Sequence, residues 1–171
     1  MQMDQQTIIL SALIAILLVG ITGCLFYIQK LQRRSAEVPA ATRINPQVQL
    51  AAYERLTLFA ERSKLNNLIT RLYQPQFTAR DMQQSIVSTI KEEFDYNISQ
   101  QLYVSPEVWD AVTKLKEQNI YITNQVAAAL PRNASALDLN KHLIDFTLHN
   151  PKATMNQVVL EALHFEAQKL I

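Results

Sequence analysis

The sequence predicts an all-α protein in which a single N-terminal transmembrane helix precedes a helical bundle domain. Three observations carry that prediction. Residues 8–28, IILSALIAILLVGITGCLFYI, hold no Asp, Glu, Lys, Arg or His, and at ~1.5 Å per helical residue they cross the ~30 Å hydrocarbon core of a bilayer. Both glycines, Gly20 and Gly23, fall inside that run, so the rest of the chain lacks the residue on which primed hairpin turns depend. Further along, apolar residues recur in steps of three and four, the period of a helix face, and no strand-like alternation outcompetes them.

This divides the 171 residues into a short tail (1–7), the span (8–28), a basic and then Ala/Pro-containing linker (29–45) and one helical domain (46–171). The domain is long enough to bury a core of its own. From Pro46 onward 12 Lys/Arg face 13 Asp/Glu, a net charge of −1, whereas a nucleic-acid binder carries a clustered basic surplus. No nucleic-acid partner is expected. Cys24 is the only cysteine, so the domain has neither an intrachain disulfide nor a thiolate zinc site. The missing glycines also remove the phosphate-cradling loop, the dinucleotide fingerprint and the hydrolase nucleophile elbow, which need glycine where the backbone turns tightly or nears a ligand. The domain is read as non-enzymatic and without a cofactor.

Charge sets the orientation. Met1 to Thr7 carries only Asp4, while Lys30, Arg33 and Arg34 crowd the far side of the span. By the positive-inside rule the tail is exported and the helical domain stays in the cytoplasm, N-out/C-in. Phe26, Tyr27 and Lys30 fall at headgroup level, where aromatic rings and a snorkelling amine settle. An alternative is that Ile21-Thr22-Gly23-Cys24 acts as a lipobox and the chain is an exported lipoprotein lipidated at Cys24; the start, whose only charged side chain is Asp4 where a signal peptide needs positive charge, and the apolar run on to Ile28 oppose it. Gly20 and Cys24 could also form a small-residue face for a partner helix. Pro39 interrupts any helix continuing from the membrane, which makes the linker a tether reaching at most about 35 to 50 Å.

In the domain, Asn45-Pro46 opens a first helix as cap and first residue. It runs to about Arg62, with Ala52, Leu56 and Phe59 on one stripe and Tyr53 beside it. Ser63 is expected to cap a short second helix carrying Leu65, Leu68, Ile69 and Leu72, which Pro75 stops. Thr78 with Asp81 approximates a capping box for a third helix. Its apolar residues, Met82, Ile86, Ile90, Phe94, Ile98 and Leu102, recur every four, and four residues overshoot a turn by ~40°, so the stripe winds and touches more than one neighbour. This is the expected central helix. Ser105-Pro106 starts the next, where Val108, Val112, Leu115, Asn119, Ile122, Val126 and Ala129 alternate steps of four and three. That is a heptad seam with Asn119 at an a position, where asparagine fixes register in dimeric coiled coils. Packing within the bundle uses such a seam first; a homodimer through Val112, Leu115, Asn119, Ile122 and Val126 is the alternative. Trp109 beside it reads as a core anchor. Pro131-Arg132-Asn133 breaks the chain, and a helix from about Ala136 to His149 ends at Asn150-Pro151. Thr154 with Gln157 is the expected capping box of a last helix with Val159, Leu163 and Leu170 inward.

Few residues could carry chemistry. Glu161 and His164 have the Glu-x-x-His spacing of di-iron bundles, which makes a helical-bundle metalloenzyme the rival function; such a site needs a second copy and two further helical glutamates, and no second copy exists. His142, Asp145 and His149 share a helical face that reads as solvated polar surface. Glu92, Glu93 and Asp95 read as a charged helix face rather than as paired acid–base carboxylates.

Leu50-Ala-Ala-Tyr-Glu-Arg-Leu-Thr-Leu-Phe-Ala-Glu-Arg62 and Glu92-Glu-Phe-Asp-Tyr-Asn-Ile-Ser-Gln-Gln-Leu-Tyr-Val-Ser105 resemble an uncharacterised family of small Bacteroidota proteins with a membrane helix, a short linker and a helical domain. The resemblance implies an inner-membrane location and an all-helical domain, and it implies no activity. The same two blocks hold paired charges and clustered amides, and an interaction surface is expected around Tyr53, Arg55, Arg62, Tyr96, Asn97 and Gln100. The expectation is therefore a single-pass protein of the bacterial inner membrane, a non-catalytic interaction or scaffold module whose partners are the lipid bilayer and a protein not specified by the sequence.

Overall fold

The computed structural model describes residues 45–150 and 155–171. The expected tail, span and all but the last residue of the linker, with the Cys24 reading and the Thr154 cap, lie outside the described residues. Among the described residues the protein is all-α. Six helices pack together: α1 Pro46–Arg62, α2 Leu65–Leu72, α3 Ala79–Tyr96, α4 Pro106–Ala128, α5 Ala136–His149 and α6 Asn156–Gln168, with a 3₁₀ turn over Ile98–Leu102 between α3 and α4. All belong to one contact unit, Ile44–Ile171. None of these helices is long and apolar enough to cross a membrane.

Local sequence sets the helix starts. The Asn45 side chain accepts from Gln47 N at 2.9 Å, and Pro46 takes the first position of α1, where no N–H is needed. Ser105 and Pro106 open α4 in the same way, the serine hydroxyl accepting from Val108 N at 3.3 Å. At α3 the Thr78 hydroxyl oxygen accepts from Asp81 N at 3.2 Å, and the Asp81 carboxylate accepts from Thr78 N at 3.0 Å and from its hydroxyl at 2.7 Å. Ser135 and Asp138 repeat that box at α5 with the same three distances. The two boxes are also joined: Ala79 N donates to Ala134 O at 2.9 Å and Ala136 N donates to Phe77 O at 3.0 Å, making an antiparallel bridge between Thr78 and Ser135. The first amide of each helix, an orphan by helix geometry, is satisfied by the loop that precedes the other helix.

The core has two halves. Leu65, Leu68 and Ile69 of α2, Met82, Ile86 and Ile90 of α3, Ile122 of α4 and Leu139 and Leu143 of α5 fill one. Tyr53, Leu56 and Phe59 of α1, Phe94 of α3, Val108, Val112 and Leu115 of α4 and Val159 and Leu163 of α6 fill the other. Helices α3 and α4 run through both and are antiparallel, since Gln83 early in α3 bonds Asn124 late in α4 and Phe94 late in α3 stacks on Trp109 early in α4, ring centroids 5.2 Å apart. Phe59 meets the same Phe94 edge-on at 5.9 Å, a favoured aromatic geometry. Trp109 is a core anchor here, as its sequence position predicts.

Three expectations need correction. Ser63 ends α1 instead of starting α2: its hydroxyl donates back to Ala60 O at 3.2 Å, and the residue before α2 is Lys64, which makes no side-chain cap. The α3 stripe stops at Phe94. Asn97 turns its side chain back to Glu93 O at 2.8 Å, the chain tightens into the 3₁₀ turn, and Ile98 and Leu102 are exposed. The α-helix ends at Tyr96, two residues short of Ile98, so its four-residue register no longer sets where Ile98 and Leu102 lie. Finally, Leu170 lies beyond the end of α6 and is only partly buried against the core.

The carbonyls at the end of α1 meet two buried asparagines. Asn119 Nδ2 on α4 donates to Ser63 O at 2.8 Å, and Asn156 Nδ2 at the start of α6 donates to Ala60 O at 2.9 Å. Helix C-termini leave carbonyls without intrahelical partners, and here side chains from two other helices supply the donors. The polar member of the heptad seam is a tertiary cap.

Candidate functional site

The six residues expected to form an interaction surface gather near the junction of α1, the end of α3 and the 3₁₀ turn, but on two levels. Tyr53, Asn97 and Gln100 are buried, and Gln100 Nε2 bonds Ser99 Oγ at 3.2 Å. Arg55 lies over the exposed Tyr96 ring, 5.1 Å from its centroid. Arg62 donates through Nε and Nη2 to Glu93 Oε1 at 2.8 and 2.5 Å, and Arg71 Nη1 approaches the same oxygen at 3.6 Å. Hydrogen bonding to Glu93, and then its charge, raise the Arg62 pKa above the usual guanidinium value. Glu93 is thus a hub that ties α1 and α2 to α3, and the acidic run on α3 has at least one structural task. The shallow depression of about 280 Å³ beside it, lined by Glu61, Arg62, Asn67, Thr70 and Arg71, holds charges already satisfied within the fold.

The dimer-seam residues Val112, Leu115, Asn119 and Ile122 are buried in the chain's own core, and Val126 packs partly buried against it. Of the residues weighed for metal, Glu161 accepts from Gln157 Nε2 at 2.8 Å and His164 is exposed. His142 Nδ1 lies 2.8 Å from Asp138 O, and His149 Nδ1 lies 2.9 Å from Asp145 O and 3.1 Å from its carboxylate. Among the described residues no three His, Cys, Asp or Glu converge as a metal site would require.

A different place stands out by its charge. Between α3 and the C-terminal end of α4 runs a groove of about 930 Å³. One wall is the outward face of α3, Arg80, Gln83, Gln84, Val87, Ser88 and Lys91, which alternates with the core face carried by Met82, Ile86 and Ile90. The other wall is Asn124, Ala127, Leu130, Pro131 and Arg132, and no Asp or Glu lines either. Gln83 Nε2 joins the walls by donating to Asn124 Oδ1 at 2.9 Å. Among the described residues, four Lys or Arg make neither an ion pair nor a ring contact: Arg80, Lys91, Arg132 and Lys141. Three of these four line this one groove. By sequence, Asp81 follows Arg80, while Glu92 follows Lys91 and Asp95 lies one turn beyond it; among the described residues no ion pair forms with either cation, and neither Glu92 nor Asp95 lines the groove. Asp81 is occupied by its cap: the Thr78 hydroxyl and then the Thr78 N–H hold it below the usual carboxylate pKa, with Arg80 adding a smaller effect.

The chain belongs to DUF7935, a family of unknown function. The match covers residues 2–170, nearly the whole chain. No curated protein and no solved structure matches it. Membership in DUF7935 carries no activity to the groove, so its chemistry is read from its side chains: an unneutralised cationic lining with a half-buried apolar floor of Val87, Ala127 and Leu130. A cationic concavity of this kind carries a positive local potential. Sequence reasoning missed these residues. Arg80, Gln84, Val87 and Lys91 do share a helical face, a readable signal, but the approach of Arg132 depends on how α3 and α4 pack.

Proposed function

We propose that the chain is a membrane-anchored, non-catalytic interaction module of the bacterial cell envelope. In this reading residues 8–28 hold it in the inner membrane, N-out/C-in, and the helical domain presents the α3/α4 groove to a protein partner on the cytoplasmic side. The observation that carries the proposal is the convergence of Arg80, Lys91 and Arg132, without ion-pair partners, on one groove free of carboxylates. Charges that serve only solubility are dispersed and commonly paired, as Lys114 is with Asp110 at 2.6 Å. The three cations are exposed, so their mutual repulsion is largely screened, and what marks the groove is that none of them has an ion-pair partner among the described residues.

Reporter fusions at the C-terminus test the anchor and its orientation. The expected result is activity from a reporter that works only in the cytoplasm. Activity only from an exported reporter would overturn the orientation, and altered processing of a Cys24→Ser variant would then favour the lipoprotein. Elemental analysis of the purified chain tests the non-catalytic part, since a stoichiometric transition metal lost on Glu161→Gln would favour the metalloenzyme.

A further inference from the structure

We infer that the α3/α4 groove receives an acidic helical segment of a partner protein, with carboxylates reaching Arg80 and Arg132 at one end and Lys91 at the other. This rests on the reading of the chain as an interaction module. Arg80 and Lys91 are eleven residues apart on one helix, about 16 Å along its axis. That spacing matches acidic residues placed three turns apart on a helix lying in the groove. Arg132 lines the opposite wall, and the bridge between Thr78 and Ser135 brings its loop beside the start of α3, so this end of the groove carries two arginines, the side chain that pairs carboxylates bidentately. Between the ends, Val87, Ala127 and Leu130 give an apolar strip for the partner's own apolar stripe. Among the described residues the Gln83 Oε1 and Asn124 Nδ2 atoms make no hydrogen bond, and they can serve polar groups beside the strip. A lipid bilayer is a flat surface, best met by protruding cations, whereas these cations flank a concavity.

The test uses the full chain in phosphatidylcholine nanodiscs and a fluorescein-labelled helical peptide with glutamates eleven residues apart flanking a leucine stripe. The control peptide carries glutamines in their place. The glutamate peptide should bind, and weaken as salt rises from about 50 to about 300 mM. Combining Arg80→Gln, Lys91→Gln and Arg132→Gln should weaken it by about tenfold or more, while Lys141→Gln, the fourth unpaired cation, leaves it within about twofold. Equal binding of the glutamine peptide, or unchanged binding by the triple variant, overturns the inference. Loss of peptide binding when phosphatidylglycerol replaces phosphatidylcholine overturns it in favour of a lipid occupant. The broader reading fails separately: if the triple variant still cross-links in cells to the partner of the wild type, the module stands and the groove is not its docking site.

Discussion

Substituting Asn119 by Asp changes one atom's chemistry at the place where α4 meets the end of α1. Asn119 is fully buried, its Nδ2 donates to Ser63 O at 2.8 Å, and its Oδ1 has no hydrogen-bond partner among the described residues. In the Asn119→Asp variant a protonated carboxyl can donate to the same carbonyl, but an ionised one sets an anion against it in a site closed to water. Folding therefore raises the pKa of the new carboxyl above its unfolded value of about 3.9. The sign follows: relative to wild type, the variant keeps its stability below the unfolded pKa and loses it as pH rises through the folded one. If the folded value exceeds 7, the deficit at pH 7 is about 4 kcal/mol, at about 1.36 kcal/mol per pH unit over about three units. Urea denaturation at pH 4 and pH 7, followed by Trp109, provides the assay. Trp109 is the only tryptophan and packs on Phe94, so its emission reports the core that unfolds. At about 1–3 kcal/mol per molar urea, the midpoint should fall by more than about 1 M at pH 7 and stay near wild type at pH 4. Equal midpoints at both pH values would refute the tertiary cap. A deficit that shrinks with rising protein concentration would instead place Asn119 between two copies.

The remaining predictions concern packing and caps. Phe94→Ala removes the ring shared by Phe59 and Trp109 and should cost about 3–5 kcal/mol, with Trp109 emission shifting red in the native state. Thr78→Ala and Ser135→Ala each remove a capping box and should each cost about 0.5–2 kcal/mol in thermal melts. The Asp81 carboxyl is held low by the Thr78 hydroxyl and N–H, and Asp138 by the Ser135 N–H and hydroxyl. The stability they contribute is present above the ordinary carboxylate pKa and lost as pH falls through their lowered values, so Asp81→Asn with Asp138→Asn should flatten the acid limb of stability against pH. Arg62→Gln should cost under about 1 kcal/mol, because that ion pair is largely exposed and Arg71 remains beside Glu93.

How much of this was legible in the sequence depends on the range of the interaction. Helix α1 and the start of α4 announce themselves because Asn45-Pro46 and Ser105-Pro106 are contiguous cap signals, and α5 follows from its breakers, Pro131-Arg132-Asn133 and Asn150-Pro151. Core positions such as Leu56, Ile86, Leu115 and Leu163 follow from spacing alone. Ser63 misleads because a serine between two helices can serve either end, and the choice depends on its hydroxyl finding Ala60 O. Asn119 has the spacing of a dimer register residue, and only the approach of α1 assigns it to Ser63. The pairing of the α3 and α5 starts and the groove beside them join residues about fifty positions apart, and no local window contains that information.

The bridge between Thr78 and Ser135 has a consequence for the groove. Arg80 lies two residues after one bridge partner and Arg132 three before the other, so their backbones are tied to a common anchor by Ala79 N to Ala134 O and Ala136 N to Phe77 O. The backbones that carry the two arginines are preorganised, though the exposed guanidinium groups are not: a ligand that spans them need not first bring two separate loops together. Immobilising rotamer-rich side chains costs about 0.5–1.5 kcal/mol each on association, and a scaffold fixed before the encounter confines that cost to the side chains themselves.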